Sequence, residues 1–303
     1  MKNKFIITII GPTGVGKTKI SLFIAKKLNT EIISSDSRQF YRELKIGSSM
    51  PNINDLSYIK HHFIGHLSIF QNYNAKLFEI DSLNKITKLF NKYSTIIMVG
   101  GSGLYEKAVT EGLSFIPDIN LNIKKQLISS FKKNGIKFLQ KEFKLLNINE
   151  KIDINNPVRL IRYLEIIKST GHCPSFFFKK KKLYRNFNII KIGLILSKKE
   201  IYFNIKNRIN NMVNNGLIEE AIKLFPYRNL RSLQTIGYKE IFNFIKEKKN
   251  IYSEIKNITN LIEINTRKYI KKQITWYRKD KKIKWFNPKE KYNIIDFINQ
   301  KLQ

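Results

Sequence analysis

The alternation of apolar and polar positions divides the chain into short buried strands and amphipathic helices. Apolar runs of strand length at 5–10, 31–35, 94–99 and 188–196 predict four buried strands. Apolar residues between 17 and 28 recur at helical spacing and predict a helix after the first strand. Strands that alternate with helices and end in glycine turns favour an α/β fold with a doubly wound parallel sheet, whose ligand site lies along the carboxyl edge of the strands.

Between the third and fourth predicted strands the pattern becomes helical throughout. Helices are predicted there over 119–131, 136–146 and 158–170. We therefore predict an inserted all-helical domain at 117–183 and a core domain formed by 1–116 together with 184–303. From about 199 to 280 the core domain is predicted to be helical, and a basic segment follows.

The segment after the first strand, Gly11 to Thr18, has the sequence GPTGVGKT and fits the pattern G-x-x-x-x-G-K-[ST] of a phosphate-binding P-loop. A P-loop requires this position between strand and helix, because backbone N–H groups then point into one concavity at the positive end of the helix dipole. Lys17 adds a positive charge, and the Thr18 hydroxyl can bind a phosphate or Mg²⁺. A glycine-rich turn that matches by chance is the alternative. The predicted phosphate-binding residues are Gly11, Pro12, Thr13, Gly14, Val15, Gly16, Lys17 and Thr18.

Asp36 follows the second predicted strand and would face phosphates bound after the first strand, where its carboxylate can accept a proton. The alternative is a local Asx turn or helix cap. The strand that ends at Val99 is followed by Gly100-Gly101 and not by an acidic Mg²⁺ ligand, and no Gln or Glu is evidently placed to orient an attacking water. This pattern weakens the case for an NTPase and favours transfer of a group to an acceptor.

The formal charge of +33 indicates a polyanionic partner, but it comes from 46 Lys and only 10 Arg. Nucleic-acid interfaces favour Arg, so we attribute part of the charge to compositional drift and give more weight to the few Arg. Arg159 and Arg162 lie on one face of an insert helix that begins at Asn156-Pro157. They could bind phosphates, and alternatively Arg162 could pair with Glu165 on a solvated face.

Other features of the composition exclude several kinds of site. Cys173 is the single cysteine, which excludes an intrachain disulfide and a cysteine zinc site. No apolar run approaches about 18 residues and no signal peptide is evident, so we expect a cytoplasmic protein with no membrane partner. His61, His62 and His66 lack a carboxylate or cysteine at suitable spacing, which favours packing or capping over a metal site.

Six blocks, in order along the chain, resemble the bacterial tRNA dimethylallyltransferases, also called isopentenyl-diphosphate:tRNA isopentenyltransferases or the IPP transferase family. The blocks are 11–18, 31–47, 100–113, 156–171, 233–240 and 265–278. The resemblance runs nearly from end to end, which makes it far more specific than a P-loop alone. It implies a P-loop α/β core and a helical insert that clamps a tRNA.

The resemblance implies transfer of a dimethylallyl group from dimethylallyl diphosphate to the exocyclic amine of the adenosine directly 3′ of the anticodon, with Mg²⁺ as cofactor. The P-loop would hold the diphosphate, with Lys17 and Thr18 stabilising the leaving group and Thr18 contacting the metal. Asp36 would be the general base. Arg208 would contact the diphosphate, whereas Asn204 stands where relatives commonly have a further Arg.

The resemblance also assigns contacts with the anticodon stem-loop of tRNA. The residues that follow the second strand would read the flipped base and its neighbours, and Ser102, where relatives usually have Thr, would lie at the tRNA entrance and take part in catalysis. The implied tRNA contacts are Asp36, Ser37, Arg38, Gln39, Ser102, Arg159, Leu160, Arg162, Gln234, Gly237, Tyr238 and Lys239. The family suggests a monomer.

Two other functions stay open at the level of sequence. A P-loop kinase for a small metabolite would share the P-loop and Asp36, but it leaves the insert and the block at 233–240 unexplained. An RNA-binding protein that has lost catalysis would keep the blocks without the reaction.

Overall fold

The structure is a computed structural model and describes residues 3–114, 116, 119–148, 150, 152–178, 184–247 and 250–303. The chain divides into two compact units, which we call the core unit (1–111 and 184–303) and the insert unit (112–183). The predicted domain boundaries at 117 and 183 lie outside the described residues, and the roles predicted for the two domains stay predictions. Within the described ranges, no helix is both long and apolar enough to cross a membrane.

One parallel sheet organises the core unit. Its strands are β1 (Phe5–Ile10), β2 (Ile32–Ser34), β3 (His61–His62), β4 (Thr95–Gly100), β5 (Asn188–Leu194) and β6 (Lys284–Phe286). Their order in the sheet is β3-β2-β4-β1-β5-β6, and every neighbouring pair is parallel. The predicted α/β fold and its four apolar strands are confirmed. The sequence pattern misses β3 and β6, which have only two and three residues and no apolar run.

Helices cover both faces of the sheet and form the insert unit. In the described part of the chain they are α1 (Lys17–Lys27), α2 (Ile53–Tyr58), α3 (Ala75–Leu89), α4 (Gly103–Glu111), α5 (Leu121–Leu145), α6 (Pro157–Thr170), α7 (Pro174–Phe178), α8 (Lys198–Asn214), α9 (Leu217–Leu224), α10 (Tyr238–Lys246), α11 (Ile255–Tyr277) and α12 (Lys291–Leu302). The predicted helical region after 199 is confirmed, whereas α12 follows the basic segment and was not predicted.

Side chains of β1 alternate between two cores, one on each face of the sheet. Ile6 packs in a cluster that includes residues of α3, α8 and α11. Ile7 and Ile9 pack on the opposite face with Ile24 of α1 and Ile298 of α12. Burial on both faces explains why the strands of this sheet appear in the sequence as continuous apolar runs.

The insert unit is built on α5 and α6. The backbone of α5 leaves helical geometry at Gly135, where φ is 68° and ψ is −168°, so the two helices predicted on either side of this residue are confirmed. α6 begins as predicted: the Asn156 side chain accepts a hydrogen bond from the N–H of Arg159 (3.2 Å), and Pro157 occupies the first turn.

The carboxyl ends of three strands meet at one edge of the sheet. Ile10 of β1 pairs with Gly100 of β4, and Ser34 of β2 pairs with Val99. The loops that follow these strands therefore lie side by side. Gly100 lies so close to Ser35 that a Cβ atom would overlap the Ser35 hydroxyl, so the absence of a side chain there brings the loops together.

Candidate active site

A cavity of about 1060 Å³ opens at this edge of the sheet. Its lining includes 13–20 of the P-loop and α1, 36–39 after β2, 101–102 after β4, and 234–237 with Lys239 before and within α10. Residues of α8 and α11 also line it, together with 47–49, Leu196, Pro288 and Lys289, so the described lining belongs to the core unit. Parallel α/β sheets commonly bind ligands at this place, and the sequence-based prediction of its position agrees with the structure.

The P-loop follows the path that a phosphate site needs. Gly11 approaches β5 so closely that a Cβ atom would lie 2.5 Å from the carbonyl oxygen of Leu194. Gly16, with φ of 94°, turns the chain into α1, which begins at Lys17 in the cavity wall. The positive end of the α1 dipole and its free N–H groups are therefore available to an anion.

Lys17 is held inside the loop that carries it. Its Nζ donates hydrogen bonds to the carbonyl oxygens of Gly11 (3.1 Å) and Pro12 (2.8 Å). Burial lowers the pKa of Lys17 to about 8, with Asp36 raising it and Arg208 lowering it further. A buried ammonium with one N–H left over gains strongly from a bound phosphate, because the anion replaces the hydration that burial removed.

Asp36 lines the same cavity and also forms the Asx turn that was the predicted alternative to a catalytic role. Its Oδ1 accepts a hydrogen bond from the N–H of Arg38 (3.0 Å), which is an Asx turn. The two roles are compatible, because the turn uses one carboxylate oxygen and fixes the carboxylate at the cavity wall. Asp36 is also near enough to Lys17 and Arg208 for its charge to oppose the lowering of their pKa values by burial.

Ser37 and Ser102 join the loops that follow β2 and β4. The N–H of Ser37 donates to Oγ of Ser102 (3.2 Å), and the two hydroxyl oxygens lie 3.1 Å apart. Tyr269 of α11 hydrogen-bonds with Ser102, and burial, followed by the charge of Asp36, raises the pKa of Tyr269 to about 12. These three hydroxyls place polar groups beside the Asp36 carboxylate in the cavity.

Arg38 and Gln39 are fixed by hydrogen bonds to other parts of the core unit. Nη1 of Arg38 donates to the carbonyl oxygen of Ser232 (2.9 Å). Oε1 of Gln39 accepts from the hydroxyl of Ser34 (3.0 Å), and Nε2 donates to the carbonyl oxygen of Ser49 (3.1 Å). Both residues line the cavity, and these hydrogen bonds hold their side chains in defined positions.

Two residues of α8 reach the P-loop side of the cavity. Arg208 lines the cavity, and burial lowers its pKa while Asp36 opposes the shift. Asn204 donates from Nδ2 to the carbonyl oxygen of Gly14 (3.0 Å). α8 thus contributes one cation to the cavity and one amide that holds the P-loop.

Sequence analysis missed the contribution of α11. Gln273 is 5% exposed and bridges two loops: Oε1 accepts from the N–H of Thr13 (3.0 Å) and Nε2 donates to the carbonyl oxygen of Gly101 (2.8 Å). Ile262, Thr266, Tyr269 and Gln273 all line the cavity. Their spacing of four, three and four residues marks one helix face, and the three polar side chains on it were the signal that could have found it.

The structure corrects the prediction for Tyr238. This side chain is fully buried, and its hydroxyl donates to Oε1 of Glu220 (2.6 Å), so a tRNA contact by the Tyr238 side chain is wrong. Two other predicted tRNA contacts in this segment, Gln234 and Lys239, are exposed and line the cavity. Gly237 also lines it, with φ of 97° at the start of α10.

A second correction concerns the insert unit. Leu160 is fully buried in a cluster with Leu164 and other apolar residues of α5 and α6, so the predicted tRNA contact at Leu160 is wrong. Burying such a side chain stabilises the unit by about 2 kcal/mol, and this explains why a leucine lies between two Arg. Arg159 is exposed. Arg162 forms an ion pair with Glu165 (3.4 Å), which is the alternative to phosphate binding that the sequence left open.

The three histidines have structural roles. His61 Nδ1 is hydrogen-bonded to the carbonyl oxygen of Ile59 (2.7 Å), and His66 packs edge-to-face on the ring of Phe40. His62 forms a hydrogen bond with Glu31. The packing predicted for these histidines is observed for His66, whereas His61 and His62 are described by hydrogen bonds. Among the described residues no group of three or more His, Cys, Asp or Glu is placed to hold a metal ion.

Known proteins resemble this chain over its whole length. The model of the IPP transferase family matches residues 39–280. Curated relatives include the tRNA dimethylallyltransferases of Christiangramia forsetii, 45% identical, and Flavobacterium psychrophilum, 40% identical, each alignment covering 99% of both chains. The crystal structure of the full-length tRNA isopentenylpyrophosphate transferase from Bacillus halodurans is 33% identical, with a TM-score of 0.71 and coverage of 99% of this chain and 97% of that one. This chain therefore belongs to the IPP transferase family.

Proposed function

We propose that this chain is a tRNA dimethylallyltransferase, which transfers a dimethylallyl group from dimethylallyl diphosphate to the exocyclic amine of the adenosine directly 3′ of the anticodon and releases diphosphate. Family membership and relatives named for this reaction support it. The structural observation that supports it most directly is the presence of Lys17 and Asp36 in one cavity. A phosphate-binding cation and a carboxylate base are the two groups that such a transfer needs.

The P-loop side of the cavity binds the diphosphate. Lys17, Arg208 and the N–H groups at the start of α1 neutralise the negative charge that develops on the departing diphosphate as the bond from C1 of the allyl group to oxygen breaks. Because these groups are held before substrate arrives, little reorganisation is needed during the reaction. The diphosphate leaves with the electron pair of the broken bond.

Asp36 acts on the acceptor. An aromatic amine is a weak nucleophile, so positioning and proton removal both lower the barrier. The nitrogen forms its bond to C1 of the allyl group and gives up a proton to the Asp36 carboxylate. The hydroxyls of Ser37, Ser102 and Tyr269 lie beside that carboxylate and hydrogen-bond the base or the amine.

The site fits a divalent ion that arrives with the substrate. The Thr18 hydroxyl is exposed in the cavity, whereas the described residues offer no cluster of carboxylates there. Mg²⁺ suits such a sparse donor set, because it keeps several waters and binds substrate phosphates readily. Thr18 would hold the ion, which neutralises charge on the diphosphate when bound.

The RNA side of the cavity is formed by residues after β2 and by residues before and within α10. Arg38 and Gln39 read the flipped adenine and its neighbours, whereas Gln234 and Lys239 hold the RNA backbone. Arg159, exposed on the insert unit, contacts phosphates of the anticodon arm. We take the enzyme to act as a monomer, as the family suggests, which agrees with a cavity lined by one chain, and its tRNA substrate places it in the cytoplasm.

One assay separates this function from the alternatives. The protein is incubated with labelled dimethylallyl diphosphate or with γ-labelled ATP, each with and without an anticodon stem-loop RNA. We expect label to move from dimethylallyl diphosphate to the RNA alone. Transfer from ATP to a small acceptor would instead indicate a kinase, and RNA retention without transfer would indicate a binding protein.

A further inference from the structure

Two exposed aromatic rings lie together on the core unit, outside the cavity. Phe70 and Tyr227 are 59% and 44% exposed, and their ring centroids are 5.0 Å apart with the ring planes at 86°. Neither residue lines the cavity, and the reaction described above uses neither. Large aromatic side chains left in water offer much binding area for few rotatable bonds, which is typical of contact surfaces.

Phe70 follows a turn that hydrogen bonds hold in place. The carboxylate of Glu43 accepts hydrogen bonds from the hydroxyl of Ser68 (2.7 Å) and the N–H of Ile69 (3.0 Å). The carbonyl oxygen of Ile69 accepts a further bond from the hydroxyl of Ser232 (2.9 Å). A ring carried by a fixed turn loses little conformational freedom on binding, so the turn favours contact with a ligand.

Hydrogen bonds connect this aromatic pair to the cavity from both sides. Ser232, which is bonded to the turn of Phe70, also accepts from Arg38 of the cavity lining (2.9 Å). Next to Tyr227, the carbonyl oxygen of Arg228 accepts from Nε2 of Gln234, which lines the cavity (2.6 Å). The turn of Phe70 is therefore linked through Ser232 to Arg38 of the cavity lining, and the residue after Tyr227 is linked to Gln234 of the same lining.

The charge around the aromatic pair is positive. Arg228 follows Tyr227 in the chain, with its guanidinium 4.5 Å from the centre of the Phe225 ring, Arg231 is exposed, and Arg38 is bonded to Ser232. These are three of the 10 Arg in a chain with 46 Lys. The nearby carboxylate of Glu43 is engaged by the turn that it braces. Aromatic faces among guanidinium groups suit unpaired nucleotides, which stack on the rings while their phosphates contact the cations.

We propose that Phe70 and Tyr227 form a stacking surface for unpaired nucleotides that flank the target adenosine. The proposal rests on the proposed function, since the base in the cavity must belong to an RNA, and it adds the position of the neighbouring nucleotides. A protein partner would also use aromatic and Arg side chains, but the hydrogen-bonded links to Arg38 and Gln234, which the proposed function places on the RNA side of the cavity, favour RNA.

Fluorescent stem-loops test the proposal. Anticodon stem-loop RNAs carrying 2-aminopurine at single loop positions are titrated with the wild-type protein, and stacking should quench at least one position. In Phe70→Ala and Tyr227→Ala the quench is lost and Kd rises roughly 5- to 100-fold. Phe70→Tyr and Tyr227→Phe keep the rings and should bind like the wild type. KM for dimethylallyl diphosphate should stay unchanged in all four variants.

Tyr58→Ala is the matched control. Tyr58 is 55% exposed, and the Lys26 ammonium lies 5.0 Å from the centre of its ring. Tyr58 does not line the cavity and is not part of the aromatic pair. Its removal should leave RNA affinity unchanged. If the wild type prenylates the stem-loop while Phe70→Ala and Tyr227→Ala bind and quench as it does, the stacking surface is wrong. If the wild type neither binds nor prenylates the RNA, the proposed function itself fails.

Discussion

Asn204 donates a hydrogen bond to the carbonyl oxygen of Gly14, 3.0 Å away, and so ties α8 to the P-loop. The two residues are 190 positions apart in the sequence. The Asn204 side chain is a neutral amide, so the contact brings no cation to the P-loop. We infer that Asn204 positions the loop and adds no charge to the phosphate site.

Replacing Asn204 should weaken binding of the diphosphate donor. In Asn204→Ala the hydrogen bond to Gly14 is lost, which corresponds to about 1 kcal/mol, or roughly a fivefold rise in Kd for dimethylallyl diphosphate. Isothermal titration measures this Kd, and RNA affinity should not change. Asn210→Ala is the control, because Asn210 is exposed on the same helix outside the cavity lining. Equal effects of the two substitutions would contradict the positioning role.

Gln273 should prove more sensitive than Asn204, because it satisfies two backbone groups at once. Gln273→Leu leaves the N–H of Thr13 and the carbonyl oxygen of Gly101 without partners, at about 1–3 kcal/mol for each group. We expect kcat/KM for the diphosphate donor to fall by about 10²-fold or more, while Kd for the stem-loop changes little. Lys271→Leu, an exposed site on the same helix, introduces the same side chain and should retain full activity. Parallel losses of donor and RNA binding would point to general unfolding.

Replacing Tyr238 should lower the stability of the fold and leave the affinity for RNA unchanged. Its hydroxyl donates to the Glu220 carboxylate, which also accepts from the N–H of Gly47 (3.0 Å) in the cavity lining. Tyr238→Phe should lower the free energy of unfolding by about 1.5–3 kcal/mol, since the lost bond has a charged acceptor. Chemical denaturation measures this change. A loss of RNA affinity with unchanged stability would restore the tRNA contact that the structure argues against.

The affinity for anions should depend on pH through Lys17. Burial lowers its pKa to about 8 in the free protein, so the ammonium is present at neutral pH and is lost as the pH rises through that value. Binding of inorganic diphosphate should therefore weaken between about pH 7 and 9 beyond the change caused by titration of the ligand. Lys17→Arg keeps its charge throughout this range and should remove that extra dependence. The same slope in both proteins would show that Lys17 does not titrate there.

Much of the fold was accessible from the sequence because the four apolar strands are long enough to show as continuous runs. β3 and β6 were not, since a pair of histidines and a segment such as Lys284–Phe286 have no pattern of their own and become strands only beside a neighbour. The Gly135 break within α5 and the start of α6 at Asn156 followed from local chemistry and were predictable for that reason.

The site was predictable where its residues lie directly after strands. The P-loop, Asp36 and Ser102 are of this kind, and the structure gathers all of them around one cavity. Gln273 was not predicted, because its bond to Thr13 spans 260 positions, and the polar face that it shares with Thr266 and Tyr269 is the single local sign of its role. Tyr238 is the opposite case. The motif at 233–240 correctly indicates a segment at the cavity, but the packing of Tyr238 against Glu220 turns this side chain away from it.

The central claim is that Asp36 removes a proton from an amine whose alkyl donor is held by the P-loop. Single-turnover transfer of the dimethylallyl group to a stem-loop RNA, compared between the wild type and Asp36→Ala, tests it most directly when RNA affinity is measured on the same samples. The account predicts a rate lowered by roughly 10²-fold or more with RNA affinity little changed. A rate and an affinity that fall by the same factor would make Asp36 a structural residue and contradict the account.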